Sequence, residues 1–163
     1  MAETEIDPRT FRDAMGCFAT GITVISALTA DGDPVGMTVN SFSSVSLDPP
    51  LILYSLARTA SRYDDFAKAE HFVVNVLDLT HEKLSTRFAT KGVSGWDDVA
   101  HEICESGCPA LDDALAVFEC KTEARHDGGD HVIIVGRVEN VRHSADGQPL
   151  LFYRGAYKRI AAG

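Results

Sequence analysis

No apolar run in the chain approaches the ~20 residues that cross a bilayer as a helix, which excludes a helical membrane protein. Positive charge is also scarce: 15 Lys and Arg stand against 24 Asp and Glu, a formal net charge of −9. A phosphate backbone would meet general repulsion, so no nucleic-acid partner is expected. A small phosphorylated ligand is still allowed, because a few local cations can hold one or two phosphates. Cysteine is sparse, at Cys17, Cys104, Cys108 and Cys120, and no second close pair joins Cys104 and Cys108 to complete a zinc site. Even with His101 nearby, no metal is expected, and idle or buried thiols in a reducing compartment are. Residues Met1 to Pro8 are acidic and polar without an apolar signal-peptide core, so the expected location is cytoplasmic. Internal repeats, low-complexity tracts and linkers are absent as well.

What is present suits one globular domain over residues 1–163, with 45% apolar and 24% charged residues. Asp7 followed by Pro8 predicts a helix start, with Phe11, Met15 and Phe18 forming one apolar face. Gly21–Thr29 and Val35–Val39 read as strands about the turn Asp31-Gly32-Asp33-Pro34. After Pro49-Pro50, the apolar stretch Leu51–Leu56 predicts a strand buried on both faces. A helix is predicted over Ser61–Ala69, with Ser61 and Asp64 as a capping box, and a strand over His71–Leu77. Thr80 is the predicted cap of a short helix in which Leu84 and Phe88 share a face. Ala89–Ala110 reads as a loop. Long strands at Leu115–Arg125 and His131–Arg142 are joined at Asp127-Gly128-Gly129, and Leu150–Tyr153 follows the turn at Asp146-Gly147. Many strands, tight turns and few helices predict a mainly β protein, an antiparallel barrel decorated at its edges.

Three places carry chemistry. In Gly36–Ser46, hydroxyl and amide side chains crowd a strand end, where they suit a polar heterocycle or simply bond their own backbone in a turn. In Ala57–Arg62, arginines and hydroxyls precede a helix start, a setting for an anion or an ordinary capped helix. An arginine ~4 Å from a phosphate charge gains about 4 kcal/mol of gross Coulomb attraction at an effective dielectric of 20, before desolvation. Finally, His131 begins a strand after the hairpin tip Gly128-Gly129-Asp130, as a ligand contact or as a surface residue.

These segments together resemble the short-chain flavin reductases, the reductase components of two-component flavin-dependent monooxygenases. The matching pieces run in order from about Phe11 to Ile160. They are Phe11–Met15 with Phe18–Val24, Gly36–Phe42, Ser46–Pro50, Phe72–Leu77, Leu84-Ser85 with Phe88-Ala89, Gly129-Asp130-His131, and Tyr153–Tyr157. Many relatives have an aromatic-glycine pair soon after the Phe88-Ala89 position, where this chain reads Thr90-Lys91-Gly92-Val93-Ser94-Gly95-Trp96. The resemblance implies an FMN-binding split β-barrel, a homodimer, and hydride transfer from NADH or NADPH to FMN or FAD. Reduced flavin would then pass to a separate oxygenase. It further implies that Thr38, Asn40 and Ser41 line the isoalloxazine ring. Ala57, Arg58 and Ser61 would hold the flavin phosphate near Ser55 and Leu56, and Phe88, Ala89 and Lys91 would close the other side. His131, with Tyr153 and Tyr157, would dock the nicotinamide, His131 being the catalytic position. The rival readings are a non-catalytic flavin- or haem-binding split barrel and a pyridoxamine-phosphate oxidase relative. Gly129-Asp130-His131 favours the reductase over both. No G-x-G-x-x-G fingerprint helps to choose between NADH and NADPH.

Overall fold

The computed structural model describes residues 5–161. In chain order its elements are α1 (Pro8–Met15), β1 (Thr20–Gly21), β2 (Thr23–Leu28), β3 (Pro34–Val39), β4 (Ser43–Leu47), β5 (Pro50–Ala57), α2 (Tyr63–Lys68) and β6 (His71–Val76). After a 3-10 turn at Leu79–His81 come α3 (Glu82–Ala89), β7 (His101–Ile103), β8 (Pro109–Leu111), β9 (Ala116–Gly128), β10 (His131–His143), β11 (Leu151–Tyr153) and β12 (Ala156–Lys158). Seven strands pair antiparallel in the order β3-β2-β6-β9-β10-β5-β4. The two end strands are consecutive in the chain, joined only through Asn40, Ser41 and Phe42. Seven strands laid flat would span roughly 29 Å at ~4.8 Å spacing, whereas this link reaches at most about 14 Å. The sheet must therefore curl until its edges nearly meet. They are not paired with each other, and the result is the expected mainly β, antiparallel split barrel.

Ile25, Tyr54, Leu56, Phe72 and Ile134 fill the barrel. A second apolar layer, including Val24, Val73, Phe88, Trp96 and Leu111, lies between the barrel wall and the segments that cover it. Hence β2 and β6, not β5, are buried on both faces. In β5 only Ile52, Tyr54 and Leu56 are buried, alternating with more exposed neighbours. The covering layer is tied down by Asn75, whose amide donates to Val24 O (3.0 Å) and whose oxygen accepts the Leu111 N–H (2.8 Å). On β3, α3 lies so close that a Cβ at Gly36 would stand 2.6 Å from the Phe88 ring.

Several local expectations change. Asp7 caps α1 as expected, accepting the Thr10 N–H at 2.8 Å. Its apolar face does not meet the core, with Phe11 and Met15 each 57% exposed, and Phe18, 74% exposed, lies past the helix end at Met15 rather than on that face. Helix α2 starts later than expected, after Arg62, and no capping box forms, since the Ser61 hydroxyl instead accepts the Gly92 N–H at 3.4 Å. Asp78, not Thr80, is the cap before α3. It accepts both the Thr80 N–H (2.9 Å) and the Thr80 hydroxyl (2.8 Å). The serine-rich β4 is an edge strand within what reads as a turn, and the loop Ala89–Ala110 contains the hairpin β7–β8.

Candidate functional site

The β5–β10 register sets His131 opposite Ala57. This brings Arg58 over the tip of the longest hairpin. The tip is a two-residue turn, Gly129-Asp130, with Gly129 at φ +76°, as the first central position of a II′ hairpin turn requires. Asp127 and Gly128 therefore remain in the ladder rather than forming the turn. The Arg58 N–H donates to Asp130 O at 2.9 Å. Its guanidinium donates from Nε to Gly129 O (3.0 Å), from Nη1 to the Tyr63 hydroxyl (3.3 Å) and from Nη2 to Asp127 Oδ1 (2.6 Å). The Asp127 carboxylate raises the Arg58 pKa further above its ordinary value. His131 Nδ1 lies 2.6 Å from Asp130 Oδ1, and that hydrogen bond holds the Asp130 carboxyl below the usual carboxylate range. Two places that are far apart in sequence thus form one.

Beside them runs the loop after α3. Arg62 Nε donates to the Ser94 hydroxyl at 3.2 Å, and Ser94 O accepts the Gly36 N–H at 2.9 Å. With the Ser61–Gly92 contact, this seats the loop between the edge of β3 and the start of α2. Ala89, the last residue of α3, and Lys91 on the loop are exposed. Phe88 is not: it is 3% exposed and packs on Trp96 with ring centroids 5.0 Å apart. Helix α2 has six residues and no side-chain cap, so attraction for an anion rests on the guanidinium groups, not on a helix end.

The third group lies along the seam of the barrel. The Ser41 hydroxyl accepts the Ser55 N–H (2.9 Å) and donates to Ser55 O (3.1 Å), pinning the β3–β4 link to β5. Ser55 is two residues from Ala57, roughly 7 Å along a strand, so seam and hairpin tip adjoin. Leu56, between them, points into the barrel and is fully buried. The Thr38 hydroxyl donates to Ser85 O (2.7 Å), and the buried Ser85 hydroxyl meets the Tyr157 hydroxyl at 2.8 Å.

Asn40, Ser41 and Phe42 also line a cleft of about 1300 Å³ whose other walls are the end of α1 and the β11–β12 turn. Met15, Phe18 and Phe152 give it apolar surface, and Arg154 and Thr20 add polar groups. The Thr20 hydroxyl is buried and has no hydrogen-bond partner among the described residues. Apolar walls with an amide, hydroxyls and one orphan hydroxyl match a flat aromatic ring with a polar rim. The Arg154 guanidinium stacks on Tyr153, 5.3 Å from the ring centroid. No hydrogen bond or ring contact joins Tyr153 or Tyr157 to His131 among the described residues. Three anchoring residues were missed in the sequence: Tyr63, Asp127 and Ser85. Asp127 reads as turn chemistry, and nothing local marks its pairing with Arg58 across the sheet.

Comparison with known proteins places these features in context. A family model described as the flavin reductase like domain matches residues 15–161. The FMN reductase (NADH) of Agrobacterium fabrum is 50% identical over 153 residues, covering 94% of this chain and 86% of that protein. A flavin-dependent monooxygenase reductase subunit of Mycobacterium tuberculosis is 38% identical, over 96% of this chain and 84% of its own length. The chain spans only about half of some longer relatives, 50% and 48%. Among solved structures, a Streptomyces globisporus NADH:FAD oxidoreductase in complex with NAD and FAD fragments matches with a TM-score of 0.89 and 34% identity, over 98% of both chains.

Proposed function

The chain belongs to the flavin reductase like family, and on that footing we propose that it reduces FMN or FAD with NADH and supplies reduced flavin to a separate monooxygenase component. The single observation that carries the site assignment is the join of Arg58 to the Gly129–His131 tip beside the Ser41–Ser55 seam. Hydride transfer between bound cofactors is chemistry that the cofactors supply, and the protein contributes positioning and charge. Asn40 and Ser41 hold the ring edge beside Ser55 and Leu56, with Ala57 leading toward the phosphate and the Thr20 hydroxyl a further hydrogen-bonding group. Thr38, bonded to Ser85, braces this wall from behind, and Phe88 supports it from the core. Arg58, Ser61 and Lys91 take the flavin phosphate, with Ala89 at the margin. His131 orients the nicotinamide, and Tyr153 and Tyr157 shape the far side of the site.

NADPH is proposed as a second donor and the cytoplasm as the compartment. A homodimer accounts for the exposed apolar face of α1 together with Leu47 at the end of β4, which is 95% exposed. Mass measurement in solution is expected to give twice 17.6 kDa, and a monomer alone would overturn the dimer. No observation favours a non-catalytic flavin or haem module. The purified protein is expected to oxidise NADH, followed at the nicotinamide absorbance band, only when FMN, FAD or riboflavin is added. Absence of turnover in every pairing of these flavins with NADH or NADPH would overturn the catalytic reading.

A further inference from the structure

We propose that Asp127 is an affinity-setting residue that weakens the hold of Arg58 on the flavin phosphate, so that flavin exchanges as a diffusing substrate. The inference rests on the reading above that Arg58 faces that phosphate. A guanidinium has five N–H donors, and the protein engages three of those on Arg58, leaving two for an anion. The Arg58 side chain is 44% exposed and that of Asp127 is 80% exposed, so an anion can approach the pair from solvent. What it meets is a cation already matched by a carboxylate 2.6 Å away. Asp130, three residues along the same tip, adds a second acidic group whose carboxyl is held below the usual range. Arg58 therefore offers direct hydrogen bonds but little uncompensated charge.

The fork does not need Asp127 to keep its pose. Gly129 O and the Tyr63 hydroxyl hold Nε and Nη1, and the Arg58 main chain is tied to Asp130 O. What the carboxylate adds beyond these is negative charge next to the place proposed for a phosphate. In a reductase that hands its product to another protein, such an opposing charge favours release.

Asp127→Asn separates charge from geometry, because the amide oxygen can still accept from Nη2. Measured by flavin fluorescence, FMN and FAD are expected to bind about two- to fivefold more tightly, the range set by one exposed, screened charge. The gain should shrink as salt is raised, and riboflavin, which has no phosphate, should bind with unchanged affinity. FMN affinity that stays the same or falls, or riboflavin affinity that rises in parallel, would overturn the proposal. So would a shift in the KM for NADH with no change for FMN, which would assign the anion to the nicotinamide diphosphate. Asp127→Ser, measured beside it, supplies the same loss of charge if the amide variant misfolds. Arg58→Ala keeps the two readings apart: if it leaves the FMN-to-riboflavin affinity ratio intact, the phosphate assignment itself fails. If that ratio collapses while Asp127→Asn changes nothing, only the role of Asp127 fails.

Discussion

Arg58→Ala is expected to weaken FMN binding about ten- to hundredfold, the equivalent of losing a charged hydrogen bond worth about 1.5–3 kcal/mol. The loss should be much smaller for riboflavin. The side chain also holds Gly129 O and Asp127 at the hairpin that carries His131. A second effect is therefore expected in the same variant, a raised KM for NADH, because the tip loses two of its ties to the neighbouring strand. Equilibrium flavin titration and steady-state kinetics on one preparation check both. Unchanged FMN affinity would remove Arg58 from the phosphate site. An unchanged KM for NADH would show that the main-chain bond from Arg58 N–H to Asp130 O suffices to fix the tip.

His131→Ala should give the complementary pattern: flavin affinity nearly unchanged, and kcat/KM for NADH lowered roughly ten- to hundredfold through lost positioning. The geometry explains why the imidazole can act as a fixed contact. An ionised carboxylate only accepts, so His131 Nδ1 carries the proton toward Asp130 and Nε2 is left to face a ligand. Because Asp130 titrates below the usual carboxylate range, this contact is intact above that range. It is lost only as pH falls through the lowered value. The Asp130 carboxylate should therefore remain an acceptor for His131 from neutral pH down to the ordinary carboxylate range. Wild-type kinetics in the variant would make His131 a bystander, and parallel loss of flavin would move it into the flavin site.

Much of this arrangement was legible in the sequence, for reasons that differ by element. Alternation and turn residues mark β9 and β10, and a glycine at the right place marks their turn. Once that hairpin forms, pairing with β5 puts His131 beside Ala57. The sign and spacing of local signals are enough there. Helical spacing groups Phe11 and Met15 on α1, while Phe18 lies beyond its end, and periodicity says which side chains share a face and not what lies opposite. In this chain nothing within the described residues covers them. Likewise the apolar run of β5 resembles a doubly buried strand, and only the placement of α3 over β2 and β3 shows which wall is covered. Asp127 was the least visible, since its role depends on a partner 69 residues away across two strand pairings.

The seam between β3 and β4 has a consequence for how such a site can vary. Asn40, Ser41 and Phe42 act as a fixed-length tether between two sheet edges that would otherwise drift apart or zip together. Full closure would commit the main-chain donors and acceptors on those edges to each other. A slack tether would scatter them. Held at one width by the link and by the Ser41 hydroxyl on Ser55, the gap keeps the two edges from pairing with each other. Substitutions along the cleft walls can then change its lining while the strand pairings stay in place, so the chemistry of the cleft and the integrity of the barrel can change independently.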